Sequence, residues 1–527
     1  MLITEMLARN ARVYTNETAL IERDPTLAQR HEMDWHTFDN RSNRLASFLI
    51  SQGVHKGDRV VQLMTNCIDW LPIYFAILRT SAWAVPLNFR FLEKTILKCT
   101  QTAEAKVFIF GKEFIDRVTA IKLSLDDWVK VYIYVGNKED CPEYAILFED
   151  IMRDQTVFVS QLNEISIKLT DPAALYFTSG TTGTPKATLL THRNLEFACY
   201  AENRHHLQTH QDNFLCIPPL YHTGAKMHWF GNFIVGAKAV ILKGIEPKDI
   251  LETISEEQVT VVWLLVPWAL DILFAIESGG VKLSQYRLAQ WRLMHIGAQP
   301  VPPSLIKEWK KIFPHHQYDT NYGLTEASGP GCVHLGIENM HKVGAIGIPG
   351  FDWETQILDP SGEPVIQGMP GELAVKGPGV MQEYYKNEAS TCDVLKNGWL
   401  LTGDIARQDN DGFIWLIDRK KDVIITGGEN IYPVEIEDFL QQHPAIQDVA
   451  VIGLPSPRLG EISAAIVQVK PGKTISKEDV DQFCQSLPRY KRPRRIIFDS
   501  VPRNPTGKIE KPVLRKKYAG RTESFSL

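Results

Sequence analysis

Residues 176–188 read YFTSGTTGTPKAT. An apolar run, Ala173–Tyr176, leads into five hydroxyl residues: Thr178, Ser179, Thr181, Thr182 and Thr184. Gly180, Gly183 and Lys186 complete the segment. Backbone N–H groups freed by glycine, side-chain hydroxyls and one ammonium suit a polyphosphate. The segment is not a Walker A loop, in which the lysine is followed by Ser or Thr at the opening of a helix. Here Pro185 precedes Lys186 and Ala187 follows it. Taken alone, the composition also suits an ordinary surface loop.

Outward from this segment, strand-like and helix-like stretches alternate. Asp58–Met64, Trp83–Pro86, Lys106–Phe110, Val129–Val135, Ala239–Leu242 and Val259–Val266 read as strands. Arg41–Gln52, ended at Gly53, and Trp70–Thr80 read as helices. The most apolar stretch, Val259–Ile276, is interrupted by Thr260, Pro267 and Asp271. It is shorter than the ~20 residues that span a bilayer. It reads as a buried strand, a turn at Pro267 and a buried helix. The alternation predicts α/β layers with largely parallel sheets. Between about residues 345 and 420, Gly/Pro/Asp turns and short strands predict a small antiparallel, β-barrel-like subdomain. The remaining residues read as a small α+β module, with strands at Val449–Gly453, Ala464–Val469 and Arg495–Phe498 and a helix near Lys477–Ser486. The charged run Asp418–Asp422 divides the chain into an N-terminal domain, 1–420, and a C-terminal domain, 421–527.

Four further segments carry chemistry. NYGLTEA (321–327) offers an aromatic face, a tight turn, a hydroxyl and a carboxylate, the type of ligand Mg²⁺ takes beside phosphate oxygens. It also reads as a plain turn before a helix. GWLLTGDI (398–405) contains Asp404, which by itself marks a common turn. DRKKDVIITGGENIYPVEIE (418–437) places Gly427 and Gly428 where backbone can approach closely, and Pro433 where a helix begins. PRNPTGKI (502–509) holds Lys508, on composition an exposed tail charge.

In this order, these segments resemble the core motifs of the adenylate-forming superfamily, which includes acyl-CoA synthetases, luciferases and peptide-synthetase adenylation domains. WAVPLNFR (83–90), PPLYHTG (218–224), HIGAQP (295–300) and GELAVKGPGVMQEYY (371–385) extend the resemblance, which covers about residues 35 to 512. The 418–437 segment and RYKRP (489–493) are most similar to acyl-CoA synthetases.

The resemblance implies roles residue by residue. Thr178, Ser179, Gly180, Thr181, Thr182, Gly183 and Lys186 close over the β- and γ-phosphates. Asn321, Tyr322 and Gly323 border the nucleotide, Tyr322 by stacking on adenine. Gly297, Ala298 and Gln299 border adenine and the acyl group. Thr325 contacts phosphate and Glu326 binds Mg²⁺. Asp404 holds the ribose hydroxyls with Arg419 beside it. Lys421 is the hinge of a mobile C-terminal domain, and Gly427 and Gly428 line the coenzyme A path. Lys508 bridges the substrate carboxylate and the α-phosphate. His222 flanks the acyl pocket. Two positions depart from the family pattern, Ala187 and Asp418, where glycine is usual; neither removes a functional group. The implied fold is a large N-terminal domain of layered α/β sheets with a β-barrel-like subdomain and a small mobile α+β domain. The implied reaction turns a carboxylate, ATP and coenzyme A into acyl-CoA, AMP and diphosphate through acyl-AMP. A luciferase-like oxygenase and a catalytically inactive binding protein are the alternatives. Lys186, Glu326, Asp404, Arg419 and Lys508 together count against the second.

Substrate size is read from HTGAKMHWFGNF, residues 222–233, where Trp229 is expected to close the acyl pocket and favour a medium-chain, alicyclic or aromatic acid; the alternative is that Trp229, Phe230 and Phe233 are helix core facing away from the pocket. Composition narrows the remaining partners. The 527 residues hold 57 Lys and Arg against 62 Asp and Glu, a net charge of −5, which gives no basic footprint for nucleic acid. Eight scattered cysteines without a CxxC pair predict reduced thiols in the cytoplasm. No signal peptide or transmembrane segment is read. Small molecules are the expected partners, and a homodimer is left open.

Overall fold

Two sheets organise the N-terminal region. In one, Pro172–Thr178 runs parallel to Trp83–Pro86, and the parallel series continues through Arg59–Leu63, Val107–Gly111, Val131–Val135 and Ile146–Leu147. Lys186–Thr191 turns back antiparallel on Pro172–Thr178, and Glu383–Tyr384 pairs along its outer edge. In the other, Gln317–Asp319, Leu293–Gly297, Val261–Leu265, Asn213–Cys216, Lys238–Leu242 and Thr18–Asp24 run parallel in that spatial order, with Gln29–Asp34 antiparallel at the edge. Val107–Gly111 and Val261–Leu265 are buried at every position. Strands of parallel sheets covered on both faces read as such continuous apolar runs. The computed structural model describes residues 1–154, 162, 164–178, 185–426, 429–503 and 509–519.

Helices from both sheets share one core. Trp70–Arg79 is apolar around its circumference and buried at all positions. Its Phe75 lies 5.2 Å from Phe233 and 6.2 Å from Trp229, both on the Thr223–Phe233 helix. Two local features differ from the sequence expectation. The second helix starts at Trp35 rather than Arg41, because Asp34 caps it: its Oδ1 accepts the Thr37 N–H at 2.6 Å. Pro267 makes no separate turn. It occupies the first turn of the Val266–Glu277 helix, where a missing N–H leaves no hydrogen bond unmade.

The 345–420 region forms an antiparallel sheet of Glu354–Leu358, Gly371–Lys376, Trp399–Gln408, Leu395–Lys396 and Ile414–Arg419. A bridge from Gly347 to Ile414 ties it to a second antiparallel sheet of Asn321–Leu324, Gly329–His334 and Ile348–Pro349. After Arg419 the chain changes sheet. Ile424–Thr426 pairs with Glu429–Ile431 and Gly460–Val469; Ile446–Ser456 and Arg495–Phe498 complete that sheet. Strand alternation sends Val449, Val451, Ala465 and Val467 to one face, against Ile436, Leu440 and Val480. It sends Ala450, Ile452, Ala464 and Ile466 to the other, against Leu514 and Tyr518. No helix among the described residues is long and apolar enough to cross a membrane.

Candidate active site

The site residues gather where parallel strands end, the place where open α/β sheets hold ligands. Thr178 ends one strand and Gly297 another. Thr178 and Lys186 are paired across the antiparallel turn, so the segment between them leaves from and returns to one point. Ser179, Gly180, Thr181, Thr182, Gly183, Gly427, Gly428 and Lys508 lie outside the described residues.

At the mouth of this turn, Lys186 Nζ sits 4.7 Å from the centre of the Tyr384 ring. Tyr384 Oη donates to Glu326 Oε1 at 2.7 Å. Burial, and then the Glu326 carboxylate, push the Tyr384 phenol up, so it keeps the proton it donates. Among the described residues no lysine or arginine lies within ion-pair distance of Glu326, which leaves its carboxylate open to a cation. Thr325 Oγ1 is 3.3 Å from Thr223 Oγ1. Thr223 opens the helix that follows His222, so the start of this helix meets Thr325, next to Glu326, which Tyr384 joins to Lys186.

A second group forms across the subdomain. Asp404 and Arg419 face each other in strand register, and Arg419 Nε pairs with Asp404 Oδ1 at 2.7 Å. Tyr322 Oη donates to Asp404 Oδ2. Asp418, next in the strand, accepts the Val434 N–H at 2.9 Å, and burial pushes its carboxyl up to about 6. Gly297 lies beside Asn321, which precedes Tyr322 in the chain. A Cβ on Gly297 would stand 3.8 Å from the Asn321 carbonyl oxygen. Ala298 follows with φ 68°, a conformation strained for alanine, and Gln299 Oε1 is buried without a hydrogen-bond partner among the described residues. Gly323 is exposed beside Tyr322. Lys421 lies in the turn where the chain passes from one sheet to the next.

A family model described as AMP-binding enzyme matches residues 7–385, and one described as AMP-binding enzyme C-terminal domain matches residues 435–508. The chain belongs to the AMP-binding enzyme family. A feruloyl-CoA synthase from Amycolatopsis sp is 31% identical over 482 residues, 91% of this chain and 92% of that one. A long-chain-fatty-acid–CoA ligase from Mycobacterium tuberculosis is 30% identical over 518 residues, 98% of each chain. The O-succinylbenzoate coenzyme A synthetase of Bacillus subtilis, solved with ATP and magnesium ion, matches with a TM-score of 0.82 at 27% identity, over 97% of this chain and 98% of that one. The chain is an acid–CoA ligase of the adenylate-forming superfamily, an AMP-forming acyl-CoA synthetase.

In this ligase Trp229 does not stand where the sequence reading put it. Its ring packs on Phe38, Phe75 and Phe233 at 6.4, 6.2 and 4.9 Å, in the core between helices. On a helix the next residue turns by about a quarter of the circumference, and it is the preceding residue, His228, that meets the strands. Its ring lies 4.3 Å from Trp263 and 4.4 Å from His295. Sequence reasoning missed His228, Trp263, His295 and Glu202: His228 and His295 lie in segments quoted above, but nothing in their spacing brings the four together. It also missed Tyr384, although the quoted 371–385 segment contains it; a tyrosine pair at a strand edge reads as packing.

Proposed function

We propose that this ligase joins a compact carboxylic acid, medium-chain, alicyclic or aromatic, to coenzyme A in two steps. The acid's carboxylate attacks the α-phosphorus of ATP, the bond to the β-phosphate breaks, and acyl-AMP and diphosphate form. The coenzyme A thiolate then attacks the acyl carbon and AMP leaves. The observation that carries this reading is a pair of polar groups. Lys186, Tyr384 and Glu326 supply a phosphate-and-cation end. Tyr322, Asp404 and Arg419 supply a ribose end.

Negative charge builds on the α-phosphate in the first step, so the chain contributes positioning and fixed donors. Glu326 is the residue to hold Mg²⁺, with Thr325 beside it; that ion, when bound, neutralises phosphate charge. Its open carboxylate and the adjacent hydroxyl fit a hard cation. Lys508 serves the first step, and Gly427 and Gly428 the approach of coenzyme A. Compactness is supported by bulk behind the site: a Cβ on Gly329 would lie 3.1 Å from Met227, and one on Gly224 2.9 Å from Trp263. The free state of all eight cysteines supports a cytoplasmic setting.

Pyrophosphate release is the test, measured over C2–C16, cyclic and benzoate-type acids with and without coenzyme A. Release with a compact acid, followed by thioester when coenzyme A is added, is expected. Oxygen-dependent light from the adenylate, or no release with any acid, counts against the proposal.

A further inference from the structure

Trp263 and His295 are direct partners across the parallel Val261–Leu265 and Leu293–Gly297 strands. His295 and Gly297, two residues apart, share a face of the sheet. The pair therefore stands just behind the glycine that borders the nucleotide site. Around it, fully buried, are Glu202, His206, His228, Asp319 and His334.

The carboxylates of this group are already engaged. Glu202 Oε2 accepts from His228 Nδ1 at 3.0 Å, and its Oε1 is 3.3 Å from the Asn321 amide nitrogen. Burial alone would raise the Glu202 carboxyl, but His228 and His206 outweigh it and hold it at about 2. Asp319 faces His206 at 3.2 Å and His334 at 2.8 Å. In front of them, burial lowers the His228 and His295 imidazoles, which favours their neutral forms. With its proton placed on Nδ1 by Glu202, His228 keeps Nε2 as an acceptor. His295 Nδ1 lies 3.1 Å from His206 Nε2.

Two buried polar atoms of this wall have no partner among the described residues: Trp263 Nε1 and His295 Nε2. A Cβ on Gly297 would be 3.9 Å from Trp263 Nε1. An unmet buried polar group is destabilising, and a phenyl and an aliphatic side chain would fill the same space without that cost. Resting on the acid–CoA ligase reading above, we infer that the acid carries a neutral hydroxyl at its far end, which accepts from Trp263 Nε1 and donates to an imidazole nitrogen of His295 or His228. A second carboxylate on the substrate would face Glu202 and Asp319, and no lysine or arginine is bonded to these side chains among the described residues. An ammonium would meet the positive N–H edge of the indole. A methyl would leave that N–H unpaired.

The test compares kcat/KM for pyrophosphate release over matched acids: benzoate, the hydroxybenzoates, the toluates, the benzenedicarboxylates, the aminomethylbenzoates, and hexanoate, heptanoate and 6-hydroxyhexanoate. At least one hydroxy acid should exceed its methyl counterpart by about 100-fold or more, since a site built to bond a hydroxyl rejects the analogue lacking it. Trp263→Phe, which keeps an aromatic ring, should reduce that ratio at least tenfold, and His295→Leu should act in the same direction. The ratio is taken within one protein, so a loss of folded material cancels. The inference is overturned if methyl or unsubstituted acids match the best hydroxy acid, if dicarboxylates or ammonium acids lead, or if both variants leave the ratio unchanged. Activity confined to unsubstituted acids removes only the hydroxyl. Absence of release with every acid removes the ligase reading and this inference together.

Discussion

Glu326 is held by a neighbour that no motif announced. The Tyr384 hydroxyl bonds it at 2.7 Å while the same ring carries Lys186 on its face. Hydrogen bonds to charged groups are worth about 1.5–3 kcal/mol, so Tyr384→Phe should lower kcat/KM by roughly 10- to 100-fold. It should also raise the magnesium concentration needed for half-maximal rate; a titration curve identical to that of the unchanged enzyme would deny Tyr384 this task. Lys508 makes a different claim, resting on the resemblance. Losing a preorganised donor to a developing anion costs about 2.7–4 kcal/mol, or 10²–10³ in rate. Lys508→Ala should slow acyl-AMP formation by at least that factor, yet leave thioester formation from supplied acyl-AMP within a few-fold. Single-turnover assays of each half-reaction separate the two, because a folding defect would slow both. Residue identity alone marked Glu326, Asp404 and Lys186 only as members of an ordered set. Tyr384 and the His228–Trp263–His295 wall were not legible at all, since what brings them together is strand register and helix rotation.

The Thr223–Phe233 helix shows how an element can mislead. Its sequence is bulky all round, so burial is legible and direction is not. Trp229 faces the aromatic core, and His228, a quarter-turn away, faces Trp263 and His295. Trp229→Ala should therefore behave as a core truncation, costing about 3–5 kcal/mol in stability, with the acid-length preference unmoved in whatever protein remains folded. Denaturant midpoints and a chain-length series check it; a shifted length profile at near-normal stability would restore Trp229 to the pocket. Elements with a clear period were legible. The apolar run at Val107–Gly111 and the alternating faces of Ile446–Ser456 follow from their sequence. Ends were less so, because Asp34 and Pro267 act through hydrogen bonds, or their absence, that apolar patterning does not encode.

At the scale of the whole molecule, the charged run after Ile417 separates two sheets. Asp404 and Arg419 belong to the first and Ile424 to the second. A hinge must absorb a large φ/ψ change, and proline fixes φ near −65°. Lys421→Pro should keep acyl-AMP formation and strongly reduce thioester formation; equal loss of both half-reactions would argue against a pivot there. The order of the layers was legible from alternation, as was the antiparallel texture of 345–420. Which strands neighbour one another was not, and Thr18–Asp24 and Gln29–Asp34 joining a sheet otherwise built from residues beyond 210 are the clearest case. The brevity of the crossing between sheets has a mechanical corollary. Four residues separate Arg419 from Ile424, and an extended chain reaches at most about 3.3–3.6 Å per residue. If the C-terminal module pivots there, it moves as a lever on a short strap, its near end within a small radius and its remote end through an arc. A spectroscopic ruler anchored at Ile425 would be nearly blind to any swing. One on the exposed Phe498, paired with Val467 seven residues along the Gly460–Val469 strand from the Thr426–Gly460 pair, would register more of it.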